Sequence, residues 1–332
     1  MNMPVGGRGM EHNNSRMAWG DIAKGIGIIL VIMGHTFHPA GQVCKAIYLF
    51  HMPLFFFLAG YFFNFKKYES NFISLIKNTY NRIFIPILFS FLLFYNVLNK
   101  YDLITLLYGI GKPIPEWGIN AIGFAMWFLY CLVVVRILLW CLIKFSEKFK
   151  YSVFIDLFIT SVLVLVGAKI GQIVKLPWSI DVALVALFIA YAGYLCKEFN
   201  IFNNIKFCIF ILSIAFLLGY IDFTFLGLSM NDRYYSNYPL VSIYIAVILS
   251  IALVYISKFL ENIKIFNKFL AYLGANSIII MIFHGIPHSS HGHVICTLWR
   301  LFISVIIIEI IASIKFSKNI YGAKSIKEIF LK

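Results

Sequence analysis

Apolar runs of about twenty residues follow one another along almost the whole chain, and they constrain the fold more than any other feature. Each run is long enough to cross a hydrocarbon layer about 30 Å thick as a helix. Only 13% of the 332 residues are charged, whereas the charged fraction of soluble globular proteins is about 25%. Ordinary soluble, disordered and disulfide-rich classes are therefore excluded, and we predict a polytopic membrane protein.

The runs predict an all-α membrane bundle of about ten transmembrane helices. Their approximate limits are 21–37, 47–63, 83–98, 125–143, 152–168, 178–195, 207–222, 239–256, 270–287 and 295–314. The chain then divides into an N-terminal segment at 1–20, a transmembrane domain at 21–314 and a basic tail at 315–332. Residues 1–20 lack the apolar centre of a signal peptide, so we expect the first run to remain in the mature protein.

The net charge of +14 is spread in ones to threes between the apolar runs rather than clustered on one face. This pattern argues against nucleic acid as a partner and indicates topology signals in a lipid bilayer. With ten alternating spans, most of the 28 lysine and arginine residues fall on the side of the N-terminus. We therefore predict that both termini are cytoplasmic, as is the basic tail.

The first span carries ionisable residues inside apolar sequence, from Asp21 and Lys24 to His35. Eleven residues make almost three helical turns, so Lys24 and His35 share one face about 16 Å apart. Such groups normally face a protein interior or a wet cavity, or else Lys24 reaches the inner headgroups and His35 caps the outer end. Three glycines at seven-residue intervals predict close packing against a neighbouring helix, namely Gly20, Gly27 and Gly34.

Two further histidines are predicted near the outer face. His51 opens the second span, and we treat it, like Asp21, as structural, with a functional role as the alternative. His284 ends the ninth span at a depth similar to that of His35. It either meets His35 as an orienting partner or second base, or it bonds to backbone at the interface.

We predict no metal site. The run that starts at His284 continues with His288, His291 and His293, but its spacing matches no familiar zinc pattern and it has no acidic partner. The six cysteines form no CxxC pair. Arg136 and Glu309 are predicted deep in the membrane and need partners that the sequence does not identify.

The loop at 222–238 combines aromatic rings with amide and carboxylate groups. Asn231 and Tyr235 are its candidates for sugar recognition by hydrogen bonding and stacking. Trp127, near the outer end of the fourth span, is a third candidate. The alternative for the aromatic residues is an interfacial tyrosine and tryptophan belt.

Several motifs together resemble the integral membrane acyltransferase-3 family, especially its fucose 4-O-acetylase-like branch. They begin with Asp21-x-x-Lys24, Lys24-x10-His35 and Phe50-His51-Met52-Pro53. Further matches are Arg82-Ile-Phe-Ile-Pro86, Trp127-Phe128-Leu129, Asn276-Ser277 and Phe283-His284. The resemblance covers nearly the whole chain in order.

This resemblance implies a multi-pass enzyme of the bacterial inner (cytoplasmic) membrane. Such an enzyme moves an acyl group, acetyl by default, from cytoplasmic acetyl-CoA to a hydroxyl of a cell-surface or lipid-linked polysaccharide such as an O-antigen. His35 would act as catalytic base or acyl acceptor, with His284 beside it. Lys24 and Arg82 would hold the donor's phosphates at the inner face, with Lys66 and Lys67 nearby. The family's paired arginines are incomplete here, because Thr79 stands where the first would be.

A transporter or flippase of a lipid-linked glycan is the main alternative, since it would also use about ten spans and buried charges. Against it, the sequence has no convincing internal repeat. A glycan polymerase would carry a large outer loop, which the sequence lacks. Dependence on acetyl-CoA separates the acyltransferase from both, and the oligomeric state stays open.

Overall fold

The computed structural model describes residues 18–37, 41–98, 103–117, 126–285 and 292–330. These residues are predominantly helical, and β pairing among them is limited to an isolated bridge between Ser229 and Tyr234. The first helices are α1 (Ala18–Gly34), α2 (Gln42–Tyr48), α3 (His51–Tyr61), α4 (Phe65–Tyr68), α5 (Phe72–Thr79), α6 (Ile85–Leu98), α7 (Leu103–Tyr108), α8 (Met126–Ser146) and α9 (Ser152–Ile173). They are followed by α10 (Ile180–Glu198), α11 (Ile205–Ile221), α12 (Pro239–Leu260), α13 (Lys264–Ala275), α14 (Ser277–Phe283), α15 (His293–Ser313), α16 (Lys315–Tyr321) and α17 (Ile326–Phe330).

Seven helical stretches of the described chain are long and apolar enough to cross a membrane. They are Gln42–Tyr61, Met126–Ser146, Ser152–Ile173, Pro177–Glu198, Lys206–Thr224, Pro239–Leu260 and His293–Ser313. An eighth arises if Phe266–Ala275 and Ser277–Phe283, which meet at 64°, form one broken span. The prediction of an all-α membrane bundle is thus confirmed, whereas the count of ten and the position of the termini stay predictions.

The heptad glycines of α1 pack closely against a neighbour, as the sequence predicted, and that neighbour is the α2–α3 pair. A Cβ at Gly27 would lie 3.0 Å from the ring of Phe55, and one at Gly34 would lie 3.0 Å from the ring of Tyr48. At Gly20 the same atom would collide with the ring of Phe62. Small residues therefore let α1 approach α2 and α3 along its full length.

A second close contact joins α1 to α13. A Cβ at Gly25 would collide with the carbonyl oxygen of Leu270, and one at Gly274 would collide with that of Asp21. The two backbones therefore touch where Gly25 meets Gly274. His35 and His284 each lie ten residues beyond this crossing.

Glycine-mediated backbone contacts also join α3 to α10. A Cβ at Gly60 would collide with the carbonyl oxygen of Ala190, and one at Gly193 with that of Phe57. The central helix α1 is thus packed against α3 and α13, and α3 in turn against α10. These backbone contacts set the positions of the side chains described below.

Residues 315–330 form two short helices packed against the bundle, in the segment for which the sequence predicted a basic tail. Tyr321 is buried, and its hydroxyl hydrogen-bonds to that of Ser90 on α6. The side chain of Asn276, at the break between α13 and α14, exchanges two hydrogen bonds with the backbone of Lys324. The Asn276-Ser277 motif therefore marks the point where the C-terminal segment is attached.

Candidate active site

His35 directly follows α1, and its backbone is held by one face of α15. The guanidinium of Arg300 donates to the carbonyl oxygen of His35 at 3.3 Å. The Nδ1–H of His293 donates to the carbonyl oxygen of Thr36 at 2.6 Å, and the hydroxyls of Thr36 and Thr297 lie 2.7 Å apart. Residues 293, 297 and 300 are spaced by four and three, so they share one helix face that fixes the turn.

The His35 and His284 rings lie side by side, with centroids 5.2 Å apart and planes tilted by 36°. The two rings thus lie together, and His284 also makes the backbone bonds of the alternative reading, so the roles of both histidines stay predictions. His284 is fully buried, and its Nδ1–H donates to the carbonyl oxygens of Ile280 and Met281 at 2.9 and 3.1 Å. That bond assigns the lone pair of the neutral ring to Nε2.

His51 completes the histidine group from the start of α3. Its Nδ1–H donates to the carbonyl oxygen of Ile47 at 2.9 Å, and its ring lies 5.1 Å from that of Tyr48. The hydroxyl of Tyr48 in turn donates to the carbonyl oxygen of Gly34 at 3.3 Å. This chain of contacts ties α2 and α3 to the end of α1, which fits the predicted structural role of His51.

Two of these histidines border a cavity of about 780 Å³. His35 and His51 line it, and Trp127 at the start of α8 contributes a ring that is otherwise buried. A cavity of this size accommodates a drug-sized or monosaccharide-sized group. Other lining residues come from the chain before α8 and from the segment between α11 and α12.

Asn231 and Asp232 bring that loop to the cavity wall. The side-chain oxygen of Asn231 is buried and has no hydrogen-bond partner among the described residues. Lys112 forms an ion pair with Asp232 at 2.6 Å. Burial raises the pKa of the Asp232 carboxyl, but hydrogen bonds from Lys112 and Ser229 outweigh it and hold the pKa below its usual value. The carboxylate therefore remains charged at neutral pH.

A buried ion pair anchors the same loop. Arg233 has a positive φ of 57°, and its Nε donates to the carboxylate of Asp181 on α10 at 2.8 Å, with both side chains almost fully buried. Its Nη1 donates to the carbonyl oxygen of Asn231 at 2.8 Å. The pair thus determines where Asn231 lies.

The structure separates the three candidates for sugar recognition. Trp127 and Asn231 line the cavity together with His35. Tyr235 is 1% exposed and lies in the hydrophobic core instead, and its hydroxyl has no hydrogen-bond partner in the described chain. The neighbouring Tyr234 lines the cavity. One residue along a turn reverses the direction of the side chain, which composition alone does not reveal.

A second group of polar residues lies further along the same helices, away from the cavity. Lys24 pairs with Asp21 at 3.4 Å and lies over the ring of Phe62, 5.2 Å from its centroid. Next to it, the guanidinium of Arg136 lies 5.8 Å from the centroid of the Phe63 ring. Lys197 donates to the carbonyl oxygen of Phe63 at 2.9 Å. Three cations thus surround the turn at the end of α3.

Three helices give similar distances between this cationic turn and the cavity. Lys24 precedes His35 by eleven residues on α1, which corresponds to about 16 Å. Phe62 follows His51 by the same number, and Arg136 follows Trp127 by nine, or about 14 Å. The cavity and the cationic turn are therefore two levels of one bundle.

Arg82 lies close to this level, on the π-helical turn Tyr80–Phe84 between α5 and α6. It is exposed, as are Lys66 and Lys67 on α4. The sequence left the partners of Arg136 open. Its Nε donates to the hydroxyl of Thr79 at 3.1 Å, and Tyr68 is a second hydrogen-bond partner. Glu309 likewise accepts a hydrogen bond from the hydroxyl of Tyr272 at 2.8 Å.

Sequence reasoning did not assign Arg300, Lys112 or Arg136 to a site. A charge inside an apolar span is itself a signal of function, and it was present for Arg300 and Arg136. Lys112 gave no such signal, because it lies outside the apolar runs. The spans do not reveal the face of the helix on which each charge lies.

No group of three or more histidine, cysteine or acidic residues in the described chain is arranged to hold a metal ion. His288 and His291 lie outside the described residues. The absence of a metal accordingly stays a prediction.

A comparison with family models matches residues 17–315 to Acyl_transf_3, described as an acyltransferase domain. This range contains both the cavity lined by His35 and His51 and the cationic turn. No curated protein matches the chain.

Proposed function

The chain belongs to the acyltransferase-3 family, and on this premise we propose that it is an O-acetyltransferase of the bacterial inner membrane. It moves an acetyl group from cytoplasmic acetyl-CoA to a hydroxyl of a cell-surface or lipid-linked polysaccharide, as in the fucose 4-O-acetylase-like branch. The observation that carries the proposal is the His35–His284 pair beside a cavity of about 780 Å³.

Acetyl transfer needs a base for the alcohol and a donor thioester within its reach. His35 accepts the hydroxyl proton while the oxygen attacks the thioester carbonyl carbon. The carbon–sulfur bond then breaks, and the thiolate takes up a proton from the same imidazole. In the alternative order, His35 takes the acetyl group first and passes it to the hydroxyl. His284, fixed by its backbone bonds, orients His35 in either case.

The cationic turn supports a donor that binds with its phosphates at that turn and its thioester toward His35. Lys24 and Arg82 bind the phosphates of acetyl-CoA from the cytoplasmic side, and the long pantetheine arm extends toward His35. The separation of about 16 Å between Lys24 and His35 suits such an arm. Trp127 and Asn231 contact the acceptor sugar by stacking and by hydrogen bonding.

The test uses purified protein in detergent with acetyl-labelled acetyl-CoA and a lipid-linked glycan fraction. The proposal expects label to appear in the glycan, at a rate that His35→Ala reduces at least a hundredfold. A folded wild type that neither binds acetyl-CoA nor transfers label would refute the proposal. Glycan movement across vesicle membranes without acetyl-CoA would then favour the flippase alternative.

A further inference from the structure

Arg136 is a half-buried cation without a counter-ion in the described chain. Its Nε donates to the hydroxyl of Thr79, and the ring of Phe63 covers its guanidinium. The ion pairs found in the described ranges all involve other residues. An arginine embedded at membrane depth is unfavourable unless an anion compensates it, so the site favours a bound anion.

Neighbouring charges strengthen this preference. The π-helical turn that carries Arg82 packs against α8, and Thr79, three residues before Arg82, accepts the hydrogen bond from Arg136. Lys24 and Lys197 contact the same Phe62–Phe63 turn that Arg136 covers. An anion placed here relieves repulsion among several cations at once.

The contact with Thr79 shows where the guanidinium of Arg136 lies relative to the Thr79–Arg82 segment. Thr79 stands three residues before Arg82, at the position where the resemblance expected another arginine. Thr79 is buried, and its hydroxyl accepts the Arg136 bond at 3.1 Å. The guanidinium from α8 therefore lies beside the side chain that lacks a charge.

We infer that Arg136 and Arg82 form a two-arginine site that binds the phosphates of the acyl donor, with Arg136 supplying from α8 the cation absent at Thr79. The inference rests on the proposed function and adds a donor-binding residue to it. Arginine suits this role because its planar group makes two parallel hydrogen bonds to a phosphate.

The experiment compares two donors on the same preparation, acetyl-CoA and S-acetylpantetheine, which has the thioester but no phosphate. The ratio of their kcat/KM values is independent of the fraction of protein that is folded. We expect Arg136→Gln to lower the preference for acetyl-CoA at least tenfold, because a charge-assisted bond to phosphate is lost. Arg136→Met is expected to lower this preference to the same extent. It replaces the glutamine variant in the experiment if that variant does not fold.

Lys144→Gln is the matched control, since Lys144 lies on the same helix and forms an ion pair with Glu147. It should keep the wild-type preference within about twofold. The exchange Thr79→Arg with Arg136→Thr conserves charge and volume, and should restore most of the preference. An unchanged preference in both Arg136 variants would overturn the inference while leaving acetyl transfer by the wild type intact. A wild type that uses neither donor would instead overturn the proposed function.

Discussion

At the residue scale, neighbouring elements hold the backbone turn that carries His35. The turn after α1 receives hydrogen bonds from Arg300 and His293, and the last residue of α1 receives one from Tyr48. All these bonds go to backbone carbonyl oxygens, so they hold the chain without occupying the imidazole. Such support suits the catalytic role proposed for His35, because small displacements from productive geometry lower the rate strongly.

Asn231 and Tyr235 give opposite predictions although both lie in one loop. Asn231→Ala is expected to raise the KM for the acceptor about tenfold, since it removes a hydrogen bond at the cavity wall. Tyr235→Phe should leave that KM unchanged, because its hydroxyl is buried away from the cavity. Steady-state kinetics with varied acceptor measure both. A larger effect from Tyr235→Phe would contradict the assigned cavity wall.

The Asp181–Arg233 pair predicts a stability effect. Arg233→Met leaves the Asp181 carboxylate buried and unpaired, so we expect a loss of about 3–5 kcal/mol in the free energy of unfolding. Lys318→Gln breaks the Lys318–Glu328 pair, whose side chains are about one-third exposed, and should cost less than about 1 kcal/mol. Unfolding in detergent compares the variants. Equal losses would show that the buried pair does not anchor the loop.

At the element scale, glycine contacts between α1 and its neighbours bring the two histidines together. The seven-residue glycine repeat was visible in the sequence, and its partners are α2 and α3. The tighter contact with α13 was not, because Gly25 and Gly274 lie far apart in the chain and neither belongs to a repeat. Periodicity reveals one face of a helix, whereas the choice among several partner helices depends on the whole packed bundle.

Gly25→Ala tests this contact. A Cβ there meets the carbonyl oxygen of Leu270, which is backbone and cannot move aside, so α1 and α13 must separate. We expect a loss of about 1–3 kcal/mol in stability and a slower acetyl transfer. Gly219→Ala on α11 is the control, because its Cβ would meet only the side chain of Leu249, at 3.2 Å. A Gly25→Ala protein as stable and active as the control would refute the role of the crossing.

At the scale of the whole molecule, the helix class was predictable from the sequence. It follows from the lengths of the apolar runs, which are a local property. The packed C-terminal helices and the cationic turn were not predictable, because they bring together residues from distant segments. Lys24, Arg136 and Lys197 come from three helices and meet only around Phe62 and Phe63.

The central claim is that one bundle binds the donor at its inner level and performs chemistry about 16 Å further out. The most direct measurement compares acetyl-CoA binding and acetyl transfer in His35→Ala and Lys24→Ala. The account predicts that His35→Ala abolishes transfer but binds donor like the wild type, while Lys24→Ala weakens binding about tenfold. Loss of donor binding in His35→Ala, with Lys24→Ala unaffected, would contradict it.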